Sequence, residues 1–546
     1  MYLVKISILK KTISLVVLFL GLTVSQFSAA QTETFESFTE VQSGLITAKK
    51  GSTKQAMIEW LANSLDQEKA KSLLQPWLDG NLYFRKDDQA LFVIDNFKEG
   101  QNAQAIADQS IITISNKRDF SKIRTNNSLR SEIRDVLARM DISADDPAVR
   151  LAAVNSLLGT SSPKIMAALS EQYDLENDSE VQEAIKLALA INQVKTSQNV
   201  AEQLDAIDII SASTQSEVYG ALNQIIHSDA DESVIKAAQL GLNKFQQKQS
   251  LYGGVETVFF GLSLGSVLVL AGIGLAITFG VMGVINMAHG ELIMIGAYTT
   301  YVMQQLMPNN IGAALLLSIP AAFVVSGLVG ILIERTVIRR LYGRPLETLL
   351  ATFGISLILQ QAVRSIFSPL NRSVSTPDWM SGALNINPML SLTYNRLYII
   401  LFCFMVFLGL LAVLKKTPLG LQVRAVSQNR SMARAMGVRS ERVDAMTFGL
   451  GSGIAGIAGV ALSQLTNVGP NMGQNYIIDS FMVVVFGGVG NLWGTLVAGL
   501  SLGLFNKILE PWAGAVLAKI LVLVFIILFI QKRPKGLFPQ RGRAAE

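Results

Sequence analysis

From Leu251 onward the sequence is a succession of long apolar runs, and this constrains the fold more than any other feature. Segments at or near bilayer length can be read at about 255–279, 285–306, 311–333, 349–368, 397–414, 446–466 and 513–531, with a longer stretch over 476–508. An α-helix needs about 20 apolar residues to span the hydrocarbon, and in lipid only helices or closed barrels satisfy every backbone group. Residues 251–546 therefore read as a polytopic helical membrane domain. Before them, the chain is rich in Asp, Glu, Lys, Gln and Ser. The whole-chain averages, 50% hydrophobic and 16% charged, combine two segments suited to different solvents.

The N-terminus carries Lys5, Lys10 and Lys11, an apolar run over 13–22, and Ser28-Ala29-Ala30 ahead of polar text. A basic start, a short apolar stretch and small residues before a cleavage point form a secretory signal peptide, assigned to 1–30. The alternative is an uncleaved anchor, and either delivers residues 31–250 across the membrane. In a Gram-negative cell that space is the periplasm. This second segment reads as all-α, with strand-like alternation only at Leu82-Tyr83-Phe84 and Leu91-Phe92-Val93-Ile94. Its later half echoes itself: Asp146-Pro147-Ala148-Val149, Asp178-Ser179-Glu180-Val181 and Asp231-Glu232-Ser233-Val234 each place a helix-capping Asp before small and apolar residues. The pattern resembles HEAT-type helical repeats, although the valines are spaced unevenly, by 32 and then 53 residues. An irregular helical bundle is the alternative.

The net charge of +5 matters through its placement. Arg335, Arg339, Arg340 and Arg344 form one basic island, and the loop 415–445 forms a second around Lys415, Lys416, Arg424, Arg430 and Arg434. A tail from Lys532 to Arg543 forms the third. Their positions between or after apolar segments are those of cytoplasmic topology signals rather than of a nucleic-acid surface. With residue 250 outside, three crossings reach Arg335, two more reach Lys415 and one more reaches Asn467. An odd number must then reach the tail. Breaking 476–508 at 487–491 closes the count at about nine crossings, and seven with a re-entrant loop is the alternative. The lone Cys403 and the two histidines, His227 and His289, supply no disulfide or metal cluster, and no bound cofactor is expected.

Several positions within the apolar runs are polar: Asn286, His289, Glu291, Thr352, Gln360, Gln361, Asp479 and Lys519. Unpaired polar groups in hydrocarbon cost several kcal/mol, so they face a bundle interior or a pathway. Each alone reads as an interhelical hydrogen bond. Together with glycines at close spacing (Gly449, Gly453, Gly456, Gly459) and helix interruptions, they point to a transport path. Asn286, Glu291, Thr352, Gln360 and Gln361 are assigned to the path, and His289 to bracing the broken segment. No Gly-Lys of a phosphate-binding loop occurs, so ATP would have to be used by separate subunits. Residues 428–438 read as a short amphipathic helix, Ala and Met on one side and Arg on the other, stopped by Gly437. Such a helix suits a groove on a partner, with an interfacial lipid-bound helix as the alternative.

The runs 280–291 (GVMGVINMAHGE) and Arg424 through Gly437 closely resemble the permeases of branched-chain-amino-acid-type ABC importers. Residues 349–361, Asn467-Val468-Gly469-Pro470, 479–485 and 531–538 are most similar to the urea-type branch, whose longer members also carry an added exported domain. The resemblance covers a little over half the chain. It implies an inner-membrane importer of two related permeases, two cytoplasmic ATPases and a periplasmic binding protein, with urea as cargo. It assigns Arg424, Gln428, Asn429, Arg430, Met432, Arg434, Met436 and Gly437 to the ATPase-coupling loop. Rival readings are the same machine for branched-chain amino acids or other small amides, an ion-coupled carrier using Asp479 and Lys519, and a tethered scaffold. No nucleophile–base set supports an enzyme.

Overall fold

The computed structural model describes residues 35–539 except 36 and 49, so the signal-peptide assignment lies outside the described residues. Two compact units separate at Phe245/Gln246, inside one long helix.

In the first unit, three helices, α1 (Phe38–Thr47), α2 (Gly51–Ser64) and α3 (Gln67–Asp79), precede a five-stranded antiparallel sheet. Its strands are β1 (Leu82–Arg85), β2 (Leu91–Val93), β3 (Asn102–Ala105), β4 (Ile111–Thr113) and β5 (Phe120–Lys122), in the order β4-β3-β2-β1-β5. The all-α expectation is corrected here. Strands of three or four residues leave almost no alternation to read, and β3 is Asn-Ala-Gln-Ala. Their turns hold them instead. Asp88 accepts from the Ala90 N–H at 3.2 Å and Asp108 from the Ser110 N–H at 3.1 Å, while Gln89 and Gln109 adopt φ of 59° and 57°.

Six helices follow: α4 (Asn127–Ile142), α5 (Pro147–Ser156), α6 (Pro163–Leu175), α7 (Ser179–Thr196), α8 (Val200–Ala212) and α9 (Ser216–Ile226). Asp146 caps α5 through the Ala148 N–H, and Asp178 caps α7 through those of Glu180 and Val181. Between these helices lies a bidentate ion pair. Arg150 donates to Glu176 at 2.6 and 2.8 Å, and the same carboxylate accepts from the Asn177 and Asp178 N–H groups. The Arg150 hydrogen bond is the main reason the Glu176 carboxyl is held down at about 2.

The second unit begins within α10 (Glu232–Met282) and continues through α11 (His289–Leu306), α12 (Ile311–Thr336) and α13 (Pro345–Phe367). A hairpin, β6 (Ala383–Asn387) with β7 (Leu390–Thr393), leads to α14 (Tyr394–Lys416). Next come α15 (Pro418–Gln428), α16 (Arg430–Ala435), α17 (Ser440–Ser463), α18 (Met472–Gly487) and α19 (Leu492–Lys532). Six of these, α10, α12, α13, α14, α17 and α19, are long and apolar enough to cross a membrane. At 18 and 16 residues, α11 and α18 are shorter, about 27 and 24 Å. α19 is itself interrupted at Gly514, whose φ of 77° is not helical.

Helix α17 is the packing centre, buried along nearly its whole length. Glycines let three neighbours approach it. A Cβ on Gly451 would stand 2.6 Å from the Gly274 carbonyl of α10, and one on Gly456 would stand 2.5 Å from the Ala322 carbonyl of α12. On Gly459, it would collide with the Ile293 carbonyl of α11.

Contacts sort the connections into two ends. Arg339 ion-pairs with Glu441, and the Arg430 guanidinium lies 4.2 Å from the Tyr342 ring centre, so the first two basic islands meet. The tail joins the 487–491 break: Leu537 N–H donates to Phe486 O and Phe538 N–H to Gly487 O. Residues 411–427 and 490–493 share the walls of one cavity, which brings all three islands to the same end. Elsewhere, Gln304 clamps Ser375 through its side-chain amide, and Arg372 pairs with Val468. This gathers the loops after α11, α13 and α17.

Candidate functional site

The site starts where α10 stops. Gly283 takes φ of 67° and the chain leaves the helix until His289. Within this break Asn286 Oδ1 accepts from the Ala288 N–H at 3.0 Å, and Thr352 Oγ1 of α13 accepts from the Met287 N–H at 3.1 Å. Non-helical backbone among apolar helices needs such partners. The His289 Nε2–H donates to the Ala271 carbonyl at 2.9 Å, which fixes that tautomer. Ala271 lies eleven residues before the end of α10, so the broken segment doubles back along that helix by about 16 Å.

Glu291, in the first turn of α11, faces α13. Its Oε1 accepts from Ser356 Oγ at 3.0 Å and from Gln360 Nε2 at 2.7 Å, while Gln360 also reaches Ser356 at 3.3 Å. Thr352, Ser356 and Gln360 are four residues apart, which aligns them on one helix face. All three, with Asn286, His289 and Glu291, are at most 4% exposed. Gln361 does not join them. One residue on, its side chain turns by about 100° around the helix, and it is exposed. Ser356 was missed in the sequence reading, although the four-residue step from Thr352 to Gln360 passes through it.

Polar capacity is left over. Glu291 Oε2, Asn286 Nδ2 and His289 Nδ1 are buried without a hydrogen-bond partner. Asn286 and Met287 also line an otherwise apolar cavity of about 220 Å³ formed with Leu349, Ile477, Ile478 and Phe481. That is room for several waters, each of which occupies about 30 Å³. The cluster offers amide, hydroxyl and carboxylate groups. Arg364, one turn further along α13, donates to Asn471 Oδ1 at 2.7 Å instead.

The loop 415–445 forms a second constellation. The short helix expected over 428–438 forms over Arg430–Ala435, because the Asn429 side chain caps its start by accepting from the Met432 N–H at 2.9 Å and separates it from α15. Its faces also differ from the expectation. Ala433 is buried, whereas Met432 and Met436 are 62% and 79% exposed. Arg430 turns inward to a bidentate pair with Asp444 at 2.7 and 2.8 Å. Arg434 donates to Ser440 Oγ, and Arg424 to the Leu414 carbonyl. Gln428 ends α15 and is exposed, and Gly437 closes α16 with φ of 87°. The exposed surface of this loop is thus two thioethers framed by Gln428 and Arg434, with Arg430 serving as a brace. Asp479 and Lys519 pair with each other at 3.1 Å.

The family profile described as branched-chain amino acid transport system / permease component matches residues 257–530. The high-affinity branched-chain amino acid transport system permease protein BraD of Pseudomonas aeruginosa is 28% identical over 296 residues, 53% of this chain and 96% of its own length. The corresponding LivH of Escherichia coli K12 is 29% identical over 293 residues, 52% of this chain and 94% of its own length. The ribose import permease protein RbsC of Bacillus subtilis is 32% identical over 108 residues, 18% of this chain and 34% of its own length. No solved structure matches the chain.

Proposed function

The chain belongs to the permease components of branched-chain amino acid-type ABC transport systems, and on that premise we propose that it forms part of the membrane path of an ATP-driven urea importer. It is a transport subunit and not an enzyme, and ATP is hydrolysed on separate subunits. Family membership implies ATPases, a second permease and a substrate-binding protein as partners.

One observation carries the choice of cargo. The buried cluster of Glu291, Gln360, Ser356 and Asn286 presents acceptors and amides, and no Lys or Arg hydrogen-bonds to it among the described residues. An α-amino acid brings a carboxylate that needs a cationic or donor-rich partner when desolvated. Urea brings one carbonyl acceptor and N–H donors on two nitrogens, and the spare Glu291 Oε2 and Asn286 Nδ2 complement it without a counter-charge. A second reading, import of branched-chain amino acids, is favoured by the names of the relatives.

In this reading the three basic islands mark the cytoplasmic end, residues 31–250 form a periplasmic domain with HEAT-like helical pairs in its later half, and the chain crosses about nine times. The count treats α11 and α18 as crossings and splits α19 at Gly514. Residues 424–437 meet an ATPase. The reading is tested by labelled urea uptake at micromolar concentration in cells with and without this gene, under excess leucine. Leucine-insensitive urea uptake that disappears with the gene is expected. Unchanged urea uptake with lost leucine uptake would transfer the assignment to the second reading.

A further inference from the structure

A second cavity, of about 290 Å³, lies apart from the Glu291 cluster, walled by α10, α14, the end of α17, α18 and α19. One wall is apolar, with Leu264, Val267 and Leu268. The others bring in Arg396, Asp479, Asn506 and Lys519. Two ion pairs close on themselves here: Lys519 with Asp479, and Lys507 with Glu510.

Arg396 is the group left over. Among the described residues it forms no ion pair, and its guanidinium stacks 4.6 Å from the Phe260 ring centre. A guanidinium stacked on an aromatic face keeps its in-plane N–H donors free for hydrogen bonds, and Arg396 lines the cavity. Asn506 supplies the opposite need. It is 9% exposed, and its Oδ1 has no partner. The cavity therefore lacks an oxyanion at one position and an N–H donor at another, while Asp479 can accept a further hydrogen bond on its second oxygen.

We propose that this cavity binds a zwitterionic group, an oxyanion joined to a protonated amine, with the oxyanion on Arg396 and Lys519 and the amine on Asp479 and Asn506 Oδ1. A lipid headgroup carrying a phosphodiester and a primary ammonium, as in phosphatidylethanolamine, supplies this chemistry. The adjoining surface favours that source: Val516, Leu517 and Ile520 of α19 expose 76%, 52% and 50% of their area, a row on which acyl chains can lie. The other source is a free amino acid. The assignment does not depend on which cargo the Glu291 cluster carries.

The full complex containing this chain would be delipidated, and native mass spectrometry would count the lipids it retains from nanodiscs. Phosphatidylethanolamine would be compared with phosphatidylglycerol, which has no amine, and phosphatidylcholine, whose quaternary nitrogen donates nothing. Preference for phosphatidylethanolamine by about ten-fold is expected, equivalent to about 1.4 kcal/mol. N506A should remove the preference, R396Q should lower retention of all three lipids because each carries the phosphodiester, and R396K should restore most of that retention, which separates a lost site from a misfolded chain. A second arm measures labelled leucine binding to the complex in phosphatidylcholine nanodiscs, with phosphoethanolamine as competitor. Binding that requires Arg396 there would assign the same site to a soluble zwitterion. Retention indifferent to headgroup and to R396Q, together with no Arg396-dependent leucine binding, would overturn the proposal.

Discussion

Gln360 donates to one oxygen of Glu291 at 2.7 Å, while the other oxygen of that carboxylate is buried with nothing to accept from. An unsatisfied buried acceptor costs about 1–3 kcal/mol. Glu291 holds it at the first turn of a helix that begins inside the bundle, after a doubled-back segment. A ligand with N–H donors would satisfy this oxygen. On the transport reading, Q360L should lower urea uptake by at least about ten-fold, the equivalent of one lost charge-assisted hydrogen bond. E291Q should act similarly without reducing the amount of chain in the membrane, and uptake normalised to membrane-inserted protein checks both. Q361A should leave uptake unchanged, because Gln361 is exposed on another face of the same helix.

The loop 415–445, proposed to meet an ATPase, has a surface and a brace, and they should fail differently. Met432 and Met436 are exposed, so M432D or M436D should leave the complex assembled but lower substrate-stimulated ATP hydrolysis several-fold. Arg430 holds Asp444, so R430A should reduce assembly itself, since removing one partner of a buried pair costs about 3–5 kcal/mol. Co-purification of the ATPase and ATP turnover, measured on the same samples, separate the two outcomes.

Helix α17 tolerates no side chain where it meets carbonyls. G456V should prevent stable insertion or assembly, because a Cβ there stands 2.5 Å from the Ala322 carbonyl and backbone cannot yield as a flexible side chain does. G354A is the matched control, with open space around its Cβ and a gain in helix propensity of up to about 1 kcal/mol. The fraction of chain that survives detergent extraction as a monodisperse complex reads both.

Glu176 should make the first unit acid-sensitive. Its carboxyl is held near 2 in the folded chain against 4.5 when unperturbed. A depressed carboxylate contributes stability that is fully present above the unfolded value and lost as pH falls through the folded one, here from about 4.5 to 2. The contribution is about 2 kcal/mol once discounted for the solvent that reaches Arg150. Hydrogen exchange over residues 144–178 should quicken at pH 3 relative to pH 6, and E176Q should remove most of that difference.

How legible these features were depended on the length of the signal. The membrane helices could be read because each needs a long apolar run, and the Lys/Arg islands marked their shared end. The sheet at 82–122 showed only as strand-like text at 82–84 and 91–94, because strands of three or four residues defined by Asp turns carry almost no periodicity of their own. Gln360 and Glu291 stood out as polar residues in apolar text, whereas Ser356 between them did not, since a serine is unremarkable in such a helix. Gln361 was misplaced for a related reason: adjacent glutamines look equivalent until the helix rotation assigns one inward. Nothing in a linear reading signals that Asn429 separates the helix at 430–435 from the one before it, because its effect depends on its side chain turning back to the Met432 N–H.

The most direct measurement is ATP-driven accumulation of labelled urea in liposomes containing the reconstituted complex, with leucine accumulation measured in parallel. Accumulation of urea that requires ATP and this chain, resists excess leucine and falls with Q360L is the expected result. ATP-dependent leucine accumulation with no movement of urea would contradict the account's choice of cargo.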